Sequence, residues 1–294
     1  MLQPPVVLVV GSLHYDIMVQ CDHLPRADET AIGSRWYPKF GGKGGNQAAA
    51  AQAAGARGRM FGAVGGDGFG SFLLEALDNR GVDRSFVSVM DGVGSGMSVA
   101  IQDRTGDYAA TIVSGANLEL DAMALEDPAL WQDVRVLVLQ SEVTEEINLA
   151  AARAAKARGA RLVLNAAPAR AVGKDLRQLV DVLVVNAVEA EMFGSGPVCD
   201  LSTALAAAQH LAAQYDSVVV TAGRHGLAAW TAEDTQITLP ARKVKVASTH
   251  GAGDCFTGTL AAALAVGEHL GDACRIAAEA AATHVEGGTD RNAA

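Results

Sequence analysis

Short apolar runs recur along the chain. Val6–Val10 and Val182–Val185 are apolar at every position, and Phe61–Val64, Val134–Leu139, Leu162–Leu164 and Ser217–Thr221 are largely so. Strands covered on both faces read this way, whereas a half-solvated strand alternates. Alanine-rich segments lie between them: Asn46–Ala54, Glu145–Arg158, and the stretch after Asp254, where Phe256, Leu260 and Leu264 recur at four-residue spacing. That spacing puts the three on one helix face, and the intervening alanines favour the helix. Strand alternating with helix predicts an α/β fold, a three-layer α/β/α sandwich on a mainly parallel central sheet.

Two regions depart from that rhythm. Thr30–Phe40 and Gly96–Val113 mix aromatic and polar residues without helical periodicity, with a turn signal at Asp103-Arg104-Thr105-Gly106. They read as solvated antiparallel strands. Gly41–Gly45 is too glycine-dense for a regular element, so a helix is expected to open only at Asn46. Val244-Lys245-Val246 alternates as a short strand does and leads into a second glycine-rich stretch.

Composition narrows the class. Half of the 294 residues are hydrophobic and 19% are charged, which suits a folded globular protein with an ample core. A net charge of −10 disfavours nucleic acid and anionic membrane as partners. Cys21, Cys199, Cys255 and Cys274 form no CxxC pair, and without a signal-peptide pattern they read as reduced thiols of a cytoplasmic protein. Val6–Val10 is far too short to cross a bilayer. The seven histidines show no H-E-x-x-H or Cys/His clustering, which argues against structural zinc. The Gly65–Gly70 stretch carries Ser71 where G-x-G-x-x-G requires glycine, and no P-loop occurs, so nicotinamide chemistry is disfavoured.

Candidate chemistry concentrates at Ser248-Thr249-His250-Gly251-Ala252-Gly253-Asp254. Gly251 and Gly253 fall where a turn into a helix leaves backbone N–H groups unpaired, and a helix N-terminus attracts anions. Asp254 stands in the first turn, where the macrodipole is expected to keep its carboxylate ionised. A base beside an anion cradle is what moving a phosphoryl group onto a hydroxyl requires. An N-capping aspartate in a plain turn accounts for the same residues, and the turn alone does not choose between the two. Asp16 follows the first apolar run, at the strand end where open α/β sheets contact ligands. Glu142 follows another, and fits either a ligand contact or a cap on the Glu145–Arg158 helix. Asn186-Ala187-Val188-Glu189 follows a third; its amide and carboxylate suit the water shell of Mg²⁺ and suit a helix cap equally. Thr221, Gly223 and Gly226 belong to a further turn of this kind.

Gly251-Ala252-Gly253-Asp254 resembles one signature of the ribokinase-like (PfkB) carbohydrate kinases. Gly41-Gly42-Lys43-Gly44-Gly45-Asn46-Gln47-Ala48 resembles the other, in the family's order and about 200 residues upstream. Gly115-Ala116-Asn117, Asn165-Ala166-Ala167-Pro168 and the N-x-x-E of Asn186–Glu189 extend the likeness over most of the chain. The resemblance implies a single kinase domain over residues 1–294. A small β-sheet lid from about residues 13–40 and 96–114 would cover the acceptor and could carry a homodimer contact. It implies an ATP-dependent sugar kinase acting on a hydroxymethyl group. Asp254 would be the base, with Gly251, Ala252 and Gly253 lending N–H groups. Asp16, Gly42, Lys43, Asn46 and Glu142 would hold the acceptor. Asn186, Thr221, Gly223 and Gly226 would lie against the nucleotide, and Asn186 with Glu189 would hold Mg²⁺ through water.

Two departures from the family pattern change what carries over. His14 stands where the Gly-Ser-x-Asn-x-Asp segment has asparagine, so His14 joins the acceptor contacts with a different hydrogen-bonding geometry and the sugar is left open. Ser248 replaces an acidic residue that helps hold an activating monovalent cation, and the tail after Gly287-Gly288-Thr289 is short, so K⁺ activation is not carried over. Two other readings use the same residues. One is a nucleoside kinase with Trp36 or Tyr37 stacking on the base; the other is a non-catalytic sugar or nucleotide sensor. Retention of Asp254 with both glycines favours an enzyme.

Overall fold

The structure is a computed structural model and describes residues 3–105 and 107–287. From the N-terminus come β1 (Val6–Val10), β2 (His14–Cys21), β3 (Gly33–Gly41), α1 (Lys43–Ala53), β4 (Arg57–Gly65) and α2 (Gly68–Asn79). Then follow β5 (Asp83–Met90), β6 (Met97–Gln102), β7 (Tyr108–Val113), β8 (Val134–Gln140), α3 (Glu145–Ala157) and β9 (Arg161–Asn165). The C-terminal part holds α4 (Lys174–Arg177), β10 (Val182–Asn186), α5 (Ala187–Met192), α6 (Leu201–Leu211) and β11 (Ser217–Thr221). It ends with β12 (Leu227–Trp230), β13 (Gln236–Leu239), α7 (Ala252–Ala265) and α8 (Leu270–Val285).

A nine-stranded sheet runs in the order β13-β12-β11-β10-β9-β8-β1-β4-β5. The strands from β5 to β11 are mutually parallel, and β12 and β13 close one edge antiparallel. Strand β1 shows how the layers arise, since successive side chains point to opposite faces. Val7 and Val9 enter one apolar core with Ala48 of α1, Leu73 of α2, Leu260 of α7 and Ala273 of α8. Leu8 and Val10 enter the other with Ile147 of α3 and Ala208 of α6. An all-apolar strand therefore supplies both cores, as its sequence predicts. From β1 the chain builds outward through β4 and β5, then returns to β8 and builds the other way. Ligand crevices of open α/β sheets lie at such a reversal, outside the carboxyl ends of the strands.

The two regions that broke the apolar rhythm supply β3, β6 and β7 of a second sheet, and the segment after β1 supplies β2, in the order β3-β2-β6-β7. Its outer pairs are antiparallel, but β2 and β6 run parallel, with Asp16 beside Ser98. The strands of those two regions, β3, β6 and β7, make the antiparallel pairs their sequence predicts, and the parallel contact comes from β2, which lies outside both regions. β2 and β6 each leave the body soon after a parallel strand of the main sheet, β1 and β5, and so set out in the same direction. Asp16 is accordingly the third residue of β2 rather than part of a loop after β1.

Two further expectations fail. α1 opens at Lys43, not Asn46, with Gly42 as N-cap at φ 85°. Glycine density does not exclude helix here, because the first turn presses onto the Gly11–Leu13 backbone. A Cβ on Gly44 would lie 2.6 Å from the Ser12 nitrogen. Val244–Val246 is not a strand: the chain has left the sheet edge after β13, Val246 is 60% exposed, and among the described residues no strand pairs with it. The Ala247 and Ser248 N–H groups donate instead to the Val285 carbonyl at the end of α8. Gly106 of the turn signal and Gly288 and Thr289 of the tail lie outside the described residues. Among the described residues, no helix is long and apolar enough to cross a membrane.

Candidate active site

α7 begins at the crevice with Gly251 as N-cap at φ 77°, a backbone conformation that side chains disfavour. The Ala252 N–H donates to the Thr249 carbonyl and that of Cys255 to the Gly251 carbonyl. Ala252 is thereby tied into the turn, and the donors left for a ligand are the N–H groups of Gly251, Gly253 and Asp254. Lys43, Asn186, Glu189, Thr221, Gly253 and Asp254 are among the residues lining a cleft of about 190 Å³ at this point.

Asp254 is buried. Its Oδ1 accepts a 2.9 Å hydrogen bond from Gln47 Nε2, and its Oδ2 a long 3.4 Å one from Asn46 Nδ2. Burial raises its pKa to about 6, against the opposing pull of the Lys43 cation and the Gln47 amide. Desolvation is the largest influence on this carboxylate, which with a pKa of about 6 remains mostly ionised at neutral pH. Lys43, at the first residue of α1, faces the carboxylates of Asp254, Glu142 and Glu189. Burial works against its charge, but those three carboxylates outweigh it and raise its pKa.

Glu142 is not the cap of α3. That role falls to Thr144, whose hydroxyl accepts from the Ile147 N–H. Glu142 Oε2 instead accepts from the Ser12 hydroxyl and, at 2.9 Å, from the Lys43 N–H, so it joins the ends of β1 and β8 to the start of α1. His14 Nδ1 lies 3.9 Å from the same oxygen, and the buried His14 Nε2 has no hydrogen-bond partner. Asp16 Oδ1 accepts from the Ser98 hydroxyl of β6. A Cβ on Gly41 would fall 2.0 Å from Asp16 Oδ2, so glycine there makes room for the carboxylate. Burial raises the Asp16 pKa, which the Ser98 hydroxyl and the His14 and His250 imidazoles offset only in part.

On the far side of the cleft, Asn186 and Glu189 form a reciprocal capping box on α5: Asn186 Oδ1 accepts from the Glu189 N–H and Glu189 Oε2 from the Asn186 N–H, both at 2.8 Å. Burial raises the Glu189 pKa, opposed by that N–H and by Lys43. The cap and the cleft are compatible, because the box occupies one oxygen of Glu189 and leaves the other. A single hard carboxylate oxygen suits Mg²⁺, which keeps several waters and takes its remaining ligands from phosphate. Thr221 lines the cleft, whereas Gly223 and Gly226 lie in the next turn, outside its lining. The close approach Gly226 makes is to its own chain, since a Cβ would meet the Leu239 carbonyl oxygen at 2.0 Å.

Sequence reasoning assigns no role to Ser12, Gln47, Ser98 or Asn165, all buried and bonded to site residues or to one another. Gln47 and Asn165 sit within segments already singled out, so their polarity in apolar surroundings was the available signal. Ser98 carried none, because only strand pairing sets it beside Asp16.

A buried carboxylate and a lysine, each in the first turn of its own helix over the carboxyl ends of a parallel sheet, suit transfer of a phosphoryl group to an alcohol. Comparison with known proteins makes this specific. The profile of the pfkB family carbohydrate kinases matches residues 5–293. Ribokinase of Mus musculus is 33% identical over 88% of this chain and 81% of its own, and deoxyribokinase of Salmonella typhi is 30% identical over 87% and 84%. The solved structure of Arabidopsis thaliana ribokinase complexed with ribose and ATP superimposes with a TM-score of 0.88 at 28% identity, covering 96% of this chain and 93% of that one. The chain belongs to the pfkB family of carbohydrate kinases, and it is a kinase that phosphorylates an alcohol group.

Proposed function

We propose that the chain transfers the γ-phosphoryl group of ATP to a hydroxymethyl group of a small free sugar such as ribose. The observation that carries this is the buried Asp254 carboxylate at the N-terminus of α7, with Lys43 opposite it and Asp16 and Glu142 beyond. Relatives that are a ribokinase and a deoxyribokinase, and a similar structure that holds ribose and ATP, support the choice of substrates.

Asp16, Glu142, His14 and Asn46, with the Gly42–Lys43 backbone, orient the acceptor so that its hydroxyl meets Asp254 Oδ2. Asp254 takes the hydroxyl proton while the acceptor oxygen forms its bond to the γ-phosphorus and the bond to the bridging oxygen of ADP breaks. The Gly251, Gly253 and Asp254 N–H groups face the transferring oxygens, and Lys43 adds positive charge where negative charge gathers. Asn186 and Glu189 would hold Mg²⁺ through water, and the ion supplies neutralisation of the phosphate charge. Closure of the second sheet as a lid excludes water, which would otherwise compete as acceptor.

The test is ADP release with MgATP against ribose, deoxyribose, fructose and other ketoses, adenosine, inosine and pseudouridine. Turnover on a free sugar above a no-acceptor blank is expected. Turnover on nucleosides alone would keep the mechanism and replace the acceptor. ATP binding without turnover on any of them would favour a sensor.

A further inference from the structure

The two oxygens of Asp254 have different surroundings, and the difference starts in the main sheet. The backbone carbonyl of Val184 in β10 can only accept hydrogen bonds, and it takes one from the Ala166 N–H and one, at 3.2 Å, from Asn165 Nδ2. Asn165 must therefore present its oxygen to Gln47, which donates to it from Nε2 at 3.0 Å. With its Nε2 committed there, Gln47 directs the second hydrogen of the same group to Asp254 Oδ1 at 2.9 Å. The cost is visible at the other end of the amide, where Gln47 Oε1 is buried without a partner. Both amides are buried, Gln47 fully and Asn165, which lines the cleft, with 8% exposed. The charged and titratable groups facing Asp254 are Lys43 from α1, Glu142 from the end of β8 and Cys255 next along α7. None of them decides which oxygen is anchored.

We infer that Gln47 and Asn165 are positioning residues that carry the donor direction of the sheet to Asp254, fastening Oδ1 and turning Oδ2 to the acceptor hydroxyl. This rests on the reading of Asp254 as the base. The orienting chain has one sense only: a flipped Gln47 amide would set oxygen against both Asn165 Oδ1 and Asp254 Oδ1.

The experiment compares Gln47→Met, Asn165→Leu, the double variant and Asp254→Asn, measuring kcat and KM for acceptor and MgATP across the pH range. Folding is checked by circular dichroism. In each single variant kcat is expected to fall about 10- to 100-fold with the KM for MgATP unchanged, the worth of a hydrogen bond to a charged group. The acid limb of kcat should move up by about one pH unit, because a carboxylate that loses a donor is easier to protonate. The double variant should be no slower than Gln47→Met, since the two residues act in series. An unmoved acid limb, or losses that multiply in the double variant, would overturn the inference while Asp254→Asn stays inactive. Should Gln47→Met not fold, Asn165→Leu reads the same limb. Near-normal turnover of Asp254→Asn would instead remove the base reading itself.

Discussion

Asp254 sits where two physical effects oppose each other. A helix N-terminus stabilises negative charge within its first turn, and burial penalises it. Burial is the larger effect and sets the pKa at about 6. A general base acts in its ionised form, so with Asp254 in the proposed role kcat should fall as pH drops below about 6, on a limb read directly from a pH–rate profile. Stability has the opposite sign. A carboxyl whose folded pKa is raised stabilises the fold fully below its unfolded value and loses that contribution as pH rises through the folded one. Asp254→Asn should therefore abolish most turnover and yet stabilise the protein by about 3 kcal/mol at pH 8, with no gain near pH 3. Thermal unfolding of both proteins at the two pH values checks this; equal melting temperatures at pH 8 would show that Asp254 is not strained by burial. The aspartate was legible in its motif, but its pKa was not, because desolvation depends on what the rest of the chain packs around it.

At the scale of elements, the site depends on how closely α1 and α7 cross. A Cβ on Gly258 would lie 2.3 Å from the Gln47 carbonyl oxygen and 2.6 Å from Ala50 Cβ, so glycine lets the helices approach until Gln47 reaches Asp254. Gly258→Val should destabilise the fold by about 1–3 kcal/mol through overpacking. It should also lower kcat more than it changes the KM for MgATP. A denaturation midpoint and steady-state kinetics measure the two effects, and an unchanged kcat would mean that the crossing does not set the Gln47 contact. Gly258 stands four residues beyond Asp254, yet nothing in the chain order says which helix it meets. Asn186 and Glu189 show the converse. Their spacing fits a cap and fits a metal, and the structure forms the cap with both residues in the lining of the cleft.

At the scale of the molecule, the second sheet has two faces with different work. Tyr15 stacks on Phe69 and meets the edge of Phe72, both in α2, which anchors one face to the body. Asp16, Ser98 and Tyr37 lie on the other, because pairing partners and alternate residues share a face. Trp36 is on the Tyr15 face, so of the two aromatics first considered for stacking on a nucleobase, only Tyr37 is on the side of Asp16. If this sheet closes as a lid, acceptor binding should slow amide exchange in β2 and β6, while MgATP alone should not. Equal protection by either ligand, or by neither, would argue for a static sheet.

Local order along the chain determined the layered fold and the positions of Asp254, Lys43, Asn186 and Glu189. Apolar runs, helical spacing and glycine-rich turns are properties of neighbouring residues and need no partner to be read. Tertiary structure decided what those residues experience. It made β2 and β6 parallel, started α1 at Lys43, left Val244–Val246 unpaired, and set Gln47, Asn165 and Ser98 beside carboxylates distant in sequence. The reason is that burial, strand pairing and helix approach depend on segments far apart in the chain, and pKa and hydrogen-bond direction follow from them.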